Sequence, residues 1–225
     1  MKRLAVFTAA AIMVVALGAA ADPTGASTTV TNANQSAETT NPGQVTVEAG
    51  NVSQVDVSQA SLTDKWAGFY GNISASKVLG DGASNMFSWT ASTFNSAKVV
   101  AVPSGDPAPS TINPVTNPNS FLGAGFDSGV ASANNTFTKT GDVTLVGSTA
   151  SGTATVNTYN SSGIADPTFT TYLVENGDAT GNPVYIAEGT TSAPGFKGNA
   201  LNYQLLGGVG ESASYKTFDF YLQIQ

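Results

Sequence analysis

Cysteine and histidine are both absent from this chain of 225 residues, and charged side chains make up only 10% of it. The first absence excludes disulfide staples and thiolate chemistry. The second removes the commonest general base, the usual hydrolytic triads and ordinary zinc or copper sites. Basic residues are scarce as well, 8 Lys and Arg against 15 Asp and Glu, for a net charge of −7. Such a surface has no electrostatic footprint for nucleic acid and is repelled by anionic lipid, so neither is an expected partner.

What is present begins with Lys2 and Arg3, an apolar stretch from Leu4 to Leu17, and Ala19-Ala20-Ala21 ahead of Asp22-Pro23. That is the order of a secretory signal peptide. Residues 1–21 are expected to be removed, leaving a protein outside the cytoplasm; an uncleaved anchor is the alternative. Without the leader, six basic residues face the 15 acids and the net charge falls to −9. No later segment reaches the roughly 18 to 20 apolar residues of a membrane span, so no insertion is expected after cleavage. The roughly 200 remaining residues can bury one sizeable core unaided.

Past the leader there is no helical periodicity, whereas alternation with period two is frequent. In "YKTFDFYLQIQ", Phe218, Phe220, Leu222 and Ile224 fall on one face and Thr217, Asp219, Tyr221 and Gln223 on the other, which predicts a terminal strand with one buried face. Further strands are predicted at 44–49, 52–57, 69–79, 85–91, 98–102, 142–148, 153–159, 168–174, 183–187 and 201–206. Turn sequences such as "GDG", "ENGDATGNP" and "GGVGES" separate them. Many short strands with this punctuation predict an all-β fold, a β-sandwich of immunoglobulin-like or jelly-roll-like type with Greek-key connections.

Two segments break the rhythm. Residues 103–120 carry five prolines, Pro103, Pro107, Pro109, Pro114 and Pro118, which withhold ladder donors and predict a surface excursion; a domain split near residue 110 is the alternative. Residues 22–49 form a polar arm whose first part, 22–43, cannot fold alone for want of large apolar groups. It is either a solvated tether or a segment that adds to another sheet.

The stretch "TDKWAGFYGNIS" gathers Trp66, Phe69 and Tyr70 around Gly68. In a strand Trp66, Gly68 and Tyr70 point one way and Ala67 and Phe69 the other, the glycine opening space between two rings. These residues, with Trp89, Phe218 and Phe220, are expected to form a core aromatic cluster; a ligand-stacking platform is the competing reading. Asp81, Asp142, Glu175 and Asp178 sit in turn sequences that use carboxylates to bind local backbone. Nothing marks two acids as a glycosidase pair, so no catalytic residue is assigned and an enzyme is not expected.

"ENGDATGN" departs from the EF-hand order, leaving a weak calcium site at Glu175, Asp178 and Asn182 as an open reading. "GGVGES" and "GAGFDSG" share only glycines with phosphate-binding loops and read as turns. No cofactor and no metal is called for. Asn34, Asn51, Asn72, Asn134 and Asn160 open Asn-x-Ser/Thr sequences and are candidate attachment points for N-linked glycans. Asn72, beside the aromatics, is expected to be buried.

The residues Gly50 to Val52, Trp66, Gly68, Tyr70, Gly71, Asn72, Trp89 and Phe218 to Tyr221 together resemble a secreted β-domain of archaeal and some bacterial surface proteins. Such domains have a "GNV" strand, a W-x-G-F/Y-Y-G-N pattern and a closing aromatic strand. The similarity covers residues 50–225 as one domain and carries no catalytic residues. Preceded by residues 22–49, the chain also resembles archaeal extracellular thread and pilus subunits, which polymerise by donating an N-terminal strand to the next copy. The resemblance implies a homopolymer at the cell surface. It puts the donated strand among Thr28, Thr29, Val30 and Thr31 or around Val45 and Val47, although "TTVT" offers few bulky side chains to fill a groove. The alternative is a carbohydrate- or cell-wall-binding domain, or a surface-layer domain, using aromatics such as Tyr159, Tyr172 or Tyr185.

Overall fold

The computed structural model of the chain describes residues 24–26, 63, 65–81, 83–90, 96–210 and 216–224. Along them run strands β1 (Thr24–Gly25), β2 (Trp66–Gly71), β3 (Ser76–Gly80), β4 (Asn85–Thr90), β5 (Lys98–Pro103) and β6 (Ile112–Pro114). Two short helices follow, α1 (Pro118–Leu122) and α2 (Ala133–Thr136). The chain continues through β7 (Lys139–Leu145), β8 (Ser148–Tyr159), β9 (Ala165–Asn176), β10 (Pro183–Glu188), β11 (Ala193–Pro194), β12 (Ala200–Leu201), β13 (Tyr203–Gly208) and β14 (Phe218–Gln223).

The main sheet is antiparallel, in the order β1-β14-β5-β10-β9-β8-β7, with β6 also paired to β9. The pairs β2–β13, β3–β4 and β11–β12 stand outside it. The chain is therefore all-β and sandwich-like, and its described strands form no closed barrel. Among the described residues no helix is long and apolar enough to cross a membrane.

The centre of the sheet is apolar on both faces. On one, Val100 and Val102 of β5 join Val184 and Ile186 of β10 and Val174 of β9. On the other, Ala101 joins Tyr185, Ala187 and Leu173. The second set is covered by β2 and β13, which supply Phe69, Leu205 and Tyr203, and by Val115, Phe121, Leu122 and Phe137 from the crossover between β5 and β7.

The first set is covered by the sheet itself. Between Gly141↔Thr153 and Val143↔Ala150 the β7–β8 register shifts, with Gly152 at φ 67° and its N–H donating to Asp142 Oδ1 at 2.7 Å. That bulge turns Val143, Leu145 and Ala150 onto the Val100 face. As β8 leaves the edge of β9, β6 takes its place, pairing Ile112 with Asn176. Buried Thr153 joins the pieces: its Oγ1 donates to Leu173 O and accepts from Val115 N at 2.9 Å. The tip of the hairpin, Val146-Gly147, has φ of 51° and 81°, as a two-residue turn with right-handed strand twist requires. A β-branched residue there costs about 1–2 kcal/mol. Val146 is held by packing against the Val100 face and by its N–H donating to Gln223 Oε1 at 3.3 Å.

Two expectations are corrected. The terminal strand has both faces covered: Phe218 and Phe220 meet the Leu173 side, Tyr221 meets the Val100 side, and Gln223 is buried by the hairpin tip. The single strand predicted at 69–79 is two, β2 and β3. Asn202 Oδ1 accepts Ile73 N–H at 3.0 Å and Ile73 turns into the core.

The proline-rich segment does run along the surface, and it is also ordered: it contains β6 and α1 and buries Pro109 and Pro118. Asp178 clamps it by accepting Ser110 N–H at 2.5 Å, Thr111 N–H at 3.2 Å and both hydroxyls. Asn176 and Asn182 donate to Pro107 O and Asp106 Oδ1, both at 2.9 Å. The strands predicted at 44–49 and 52–57 lie outside the described residues, as does the leader.

At the end of β13, a Cβ on Gly208 would stand 2.5 Å from the Tyr185 hydroxyl and 2.8 Å from Phe126 Cζ. That hydroxyl is buried and meets no acceptor in hydrogen-bonding geometry. Gly208→Ala should cost about 1–3 kcal/mol by chemical denaturation, while Tyr185→Phe should be neutral or slightly stabilising. The glycine penalty should shrink in the Tyr185→Phe background, and a neutral Gly208→Ala would contradict this packing.

Alkaline pH offers a second check. Burial, then the charge of Glu188, raises the Tyr172 phenol from its ordinary 10.0 to about 12. The folded chain thus holds this proton more tightly than the unfolded one. Its contribution is intact below pH 10 and is lost as the pH rises to about 12. Tyr172→Phe should flatten the fall of the thermal midpoint across that window; an unchanged slope would contradict the assignment.

Candidate functional site

The aromatic stretch at the start of β2 divides between two environments. Trp66 and Phe69 go to the core: the Trp66 ring lies 4.9 Å from Phe126 and 5.6 Å from Phe137, and its Nε1 donates to Ala131 O at 2.8 Å. Phe69 packs edge-on to Phe218 at 5.4 Å and Phe220 at 5.1 Å. Four of the six residues expected in the cluster thus come together. The sequence reading missed Phe126 and Phe137, which lie in the glycine-rich loop and crossover where no periodicity marked them.

Tyr70 and Trp89 are the corrections. Tyr70 points away from the core, 39% exposed, and meets Phe196 edge-on at 4.9 Å. Trp89 belongs to the β3–β4 hairpin, every residue of which is exposed where its burial is described. Its ring lies tilted against Phe87 at 4.8 Å, and Leu79, paired with Phe87, completes an apolar face open to solvent.

Tyr70 forms one wall of a cleft of about 550 Å³. The floor is β2 and β13 at Gly68 and Leu206; Thr158 and Tyr159 from the end of β8 and Phe196-Lys197 from the loop between β11 and β12 complete it. A Cβ built on Gly68 meets nothing within 4 Å, so the missing side chain is part of the open volume. Lys197 Nζ sits 5.7 Å from the centre of the Tyr70 ring and 5.4 Å from that of Phe196, within cation–π range.

Buried Gln204 fastens the rim. Its Nε2 donates to Thr158 Oγ1 at 2.9 Å and Tyr159 O at 3.2 Å, and its Oε1 accepts Phe196 N–H at 2.9 Å. Of the aromatics named for sugar binding, Tyr159 lines this cleft and is 60% exposed; Tyr185 is fully buried and Tyr172 is half-buried against Glu188.

A different surface concerns the arm. Thr24 and Gly25 pair antiparallel with Leu222 and Tyr221, and Ala26 N–H donates to Phe220 O at 3.0 Å, so β1 lies on the outer edge of β14. The interface residues expected further along, Thr28, Thr29, Val30, Thr31, Val45 and Val47, lie outside the described residues.

Asp81 and Glu175 bind local backbone as expected, whereas Asp178 binds the distant Ser110 and Thr111. Asp81 accepts Ala83 and Ser84 N–H, at 3.0 and 2.7 Å, and Glu175 accepts Gly181 N–H at 2.8 Å. Hydrogen bonds from Ser84 and Ser110 respectively hold Asp81 and Asp178 below the usual carboxylate range. With the Asp178 oxygens filled by Ser110 and Thr111, the calcium reading at Glu175, Asp178 and Asn182 loses its central ligand. No group of three or more His, Cys, Asp or Glu able to hold a metal occurs among the described residues.

Of the glycan candidates, Asn34 and Asn51 lie outside the described residues. Asn72 is exposed, contrary to expectation, because the chain turns out of β2 there. Asn134 is also exposed and uses Oδ1 to accept Asn119 N–H at 3.0 Å. Asn160 is less accessible, its Nδ2 donating to Asp166 Oδ2 at 3.3 Å.

Gln204→Leu should leave the Phe196 amide and Tyr159 carbonyl unpaired and cost about 1–3 kcal/mol. Hydrogen exchange at the Phe196 amide should accelerate well beyond the global change; equal protection would show that Gln204 does not hold the rim.

No family model, curated protein or solved structure matches this chain.

Proposed function

We propose that this chain is the structural subunit of an extracellular filament, joined to identical copies by addition of the N-terminal arm of one subunit to the sheet edge of the next. The observation that supports this reading is the seating of Thr24–Gly25 on β14 within one chain. The same backbone groups, offered by a neighbour, would make the same ladder. A head-to-tail contact of that kind, repeated without ring closure, generates a fibre.

The two edges of the main sheet differ in a way that favours β14 as acceptor. At the far edge β7 carries exposed Lys139 and a bulge between Gly141 and Val143, both of which discourage strand addition. The β14 edge is six residues long, and among the described residues β1 pairs with two of them. A longer strand from the arm, containing Val30, Val45 or Val47, can extend along the remainder. The exposed face of Leu79, Phe87 and Trp89 gives a second surface suited to burial between subunits, since an isolated two-stranded hairpin is marginal in water. A structural role also fits the lack of His and Cys. Asn72 and Asn134 are exposed sites at which glycans would coat such a filament.

The test exploits the absence of native cysteine. Thr24→Cys with Leu222→Cys, on facing positions of β1 and β14, should close within the chain in dilute monomer. After assembly it should link neighbouring chains into a ladder on a non-reducing gel. Deleting residues 22–49 should leave folded or marginal monomers that form no filaments by electron microscopy. Undiminished filament growth after the deletion would refute strand donation.

A further inference from the structure

The cleft lined by Tyr70, Tyr159, Phe196 and Lys197 is not used by strand addition, and we propose that it binds an acidic pyranose sugar, a uronic-acid unit within an oligosaccharide. Three features of the site carry this. Its volume of about 550 Å³ is that of a ligand site, and it is open rather than filled. Tyr70, Tyr159 and Phe196 are 39%, 60% and 43% exposed, so they offer apolar ring surface against which the C–H side of a pyranose can lie. The third feature is charge. In a chain with 15 acids and 8 bases, an ammonium is scarce, and Lys197 is placed over the Tyr70 and Phe196 rings.

The surroundings show why Lys197 is the group that selects. Lys65 is buried with Nζ donating to Ser128 O at 2.6 Å, and Lys98 is buried against Glu188 at 2.8 Å. Lys197 instead borders open volume, and among the described residues no carboxylate lines the cleft with it. An anionic sugar brings together what the walls offer: an apolar ring face for the aromatics and a carboxylate for the ammonium. The rim is rigid where recognition would need it, because Gln204 ties the Phe196 backbone to Thr158 and Tyr159. Gly68 keeps the floor open without being needed for turn geometry; its missing side chain would project into empty space.

That last property supplies a clean test. Gly68→Leu should plug the cleft without clashing, and Lys197→Gln should remove the charge while keeping the stem. Binding of galacturonic-acid trisaccharide to the folded monomeric chain would be measured by calorimetry and by amide chemical shifts, with galactose trisaccharide and a tri-glutamate peptide as controls. The acidic sugar should bind at least about tenfold more tightly than either control, with shifts centred on Tyr70, Tyr159, Phe196 and Lys197. Gly68→Leu should abolish binding and Lys197→Gln should bring the acidic sugar to the level of the neutral one, each with an unchanged thermal midpoint.

No binding of the acidic sugar, or binding unaffected by Gly68→Leu, would overturn the proposal. Equal affinity for the neutral sugar would overturn the role of Lys197, and tighter binding of the peptide would overturn the sugar. The assay uses monomer, so its result is independent of whether the arm builds filaments.

Discussion

A sheet that is apolar on both faces must be covered twice, and in this chain no disulfide can help. Much of the described structure outside β5, β10 and β9 is arranged to satisfy that demand. One face is closed by a separate layer, the β2–β13 pair with the crossover segment. The other is closed by the end of the sheet folding over itself, which is possible only because the ladder breaks at Gly152 and β6 fills the vacated edge of β9. The energetics favour this solution. Burying a single Val, Leu or Ile side chain yields about 1.5–3 kcal/mol, and the folded-over hairpin covers Val100, Val102, Val174, Val184 and Ile186. Against that sum, the strained backbone of Val146 is a small cost.

The same demand explains what could be read in the sequence. Strands with continuous or alternating apolar residues, such as "KVVAVP" and "PVYIAE", were legible at nearly their observed bounds, as was the all-β class. The terminal strand was read with one wet face because Gln223 and Asp219 are polar. Nothing local shows that the distant Val146 N–H would come to Gln223 and bury it. The order within the proline-rich segment is hidden for a similar reason: it comes from Asp178, Asn176 and Asn182 of a turn some 70 residues away in sequence, and the prolines mask the three-residue strand β6.

The candidate cleft was half legible. Period-two logic put Gly68 and Tyr70 on one face of a strand and saw that the glycine would open space. It assigned that space to the core because three aromatics in eight residues look like packing. The deciding partners, Phe196, Lys197 and Gln204, lie far along the chain in and beside short, irregular strands. The expectation that large rings turn inward fails at Trp89 for the same reason. Its hairpin alternates as a strand should, but neither face meets the body of the protein.

On the strand-addition reading, the division of labour between backbone and side chains follows from magnitudes. The described pairing of β1 on β14 is held by a few backbone hydrogen bonds, each worth about 0.5–1.5 kcal/mol net. That is weak enough to exchange between a chain's own arm and a neighbour's. The arm is poor in large apolar residues, so a longer ladder would gain register and direction more than strength. Strength has to come from apolar burial elsewhere, and the exposed Leu79, Phe87 and Trp89 face is where the molecule has it to give. A subunit built this way can stay soluble with its arm folded back. It joins a neighbour firmly only when edge and hairpin are engaged together, because two weak contacts made at once are far stronger than either alone.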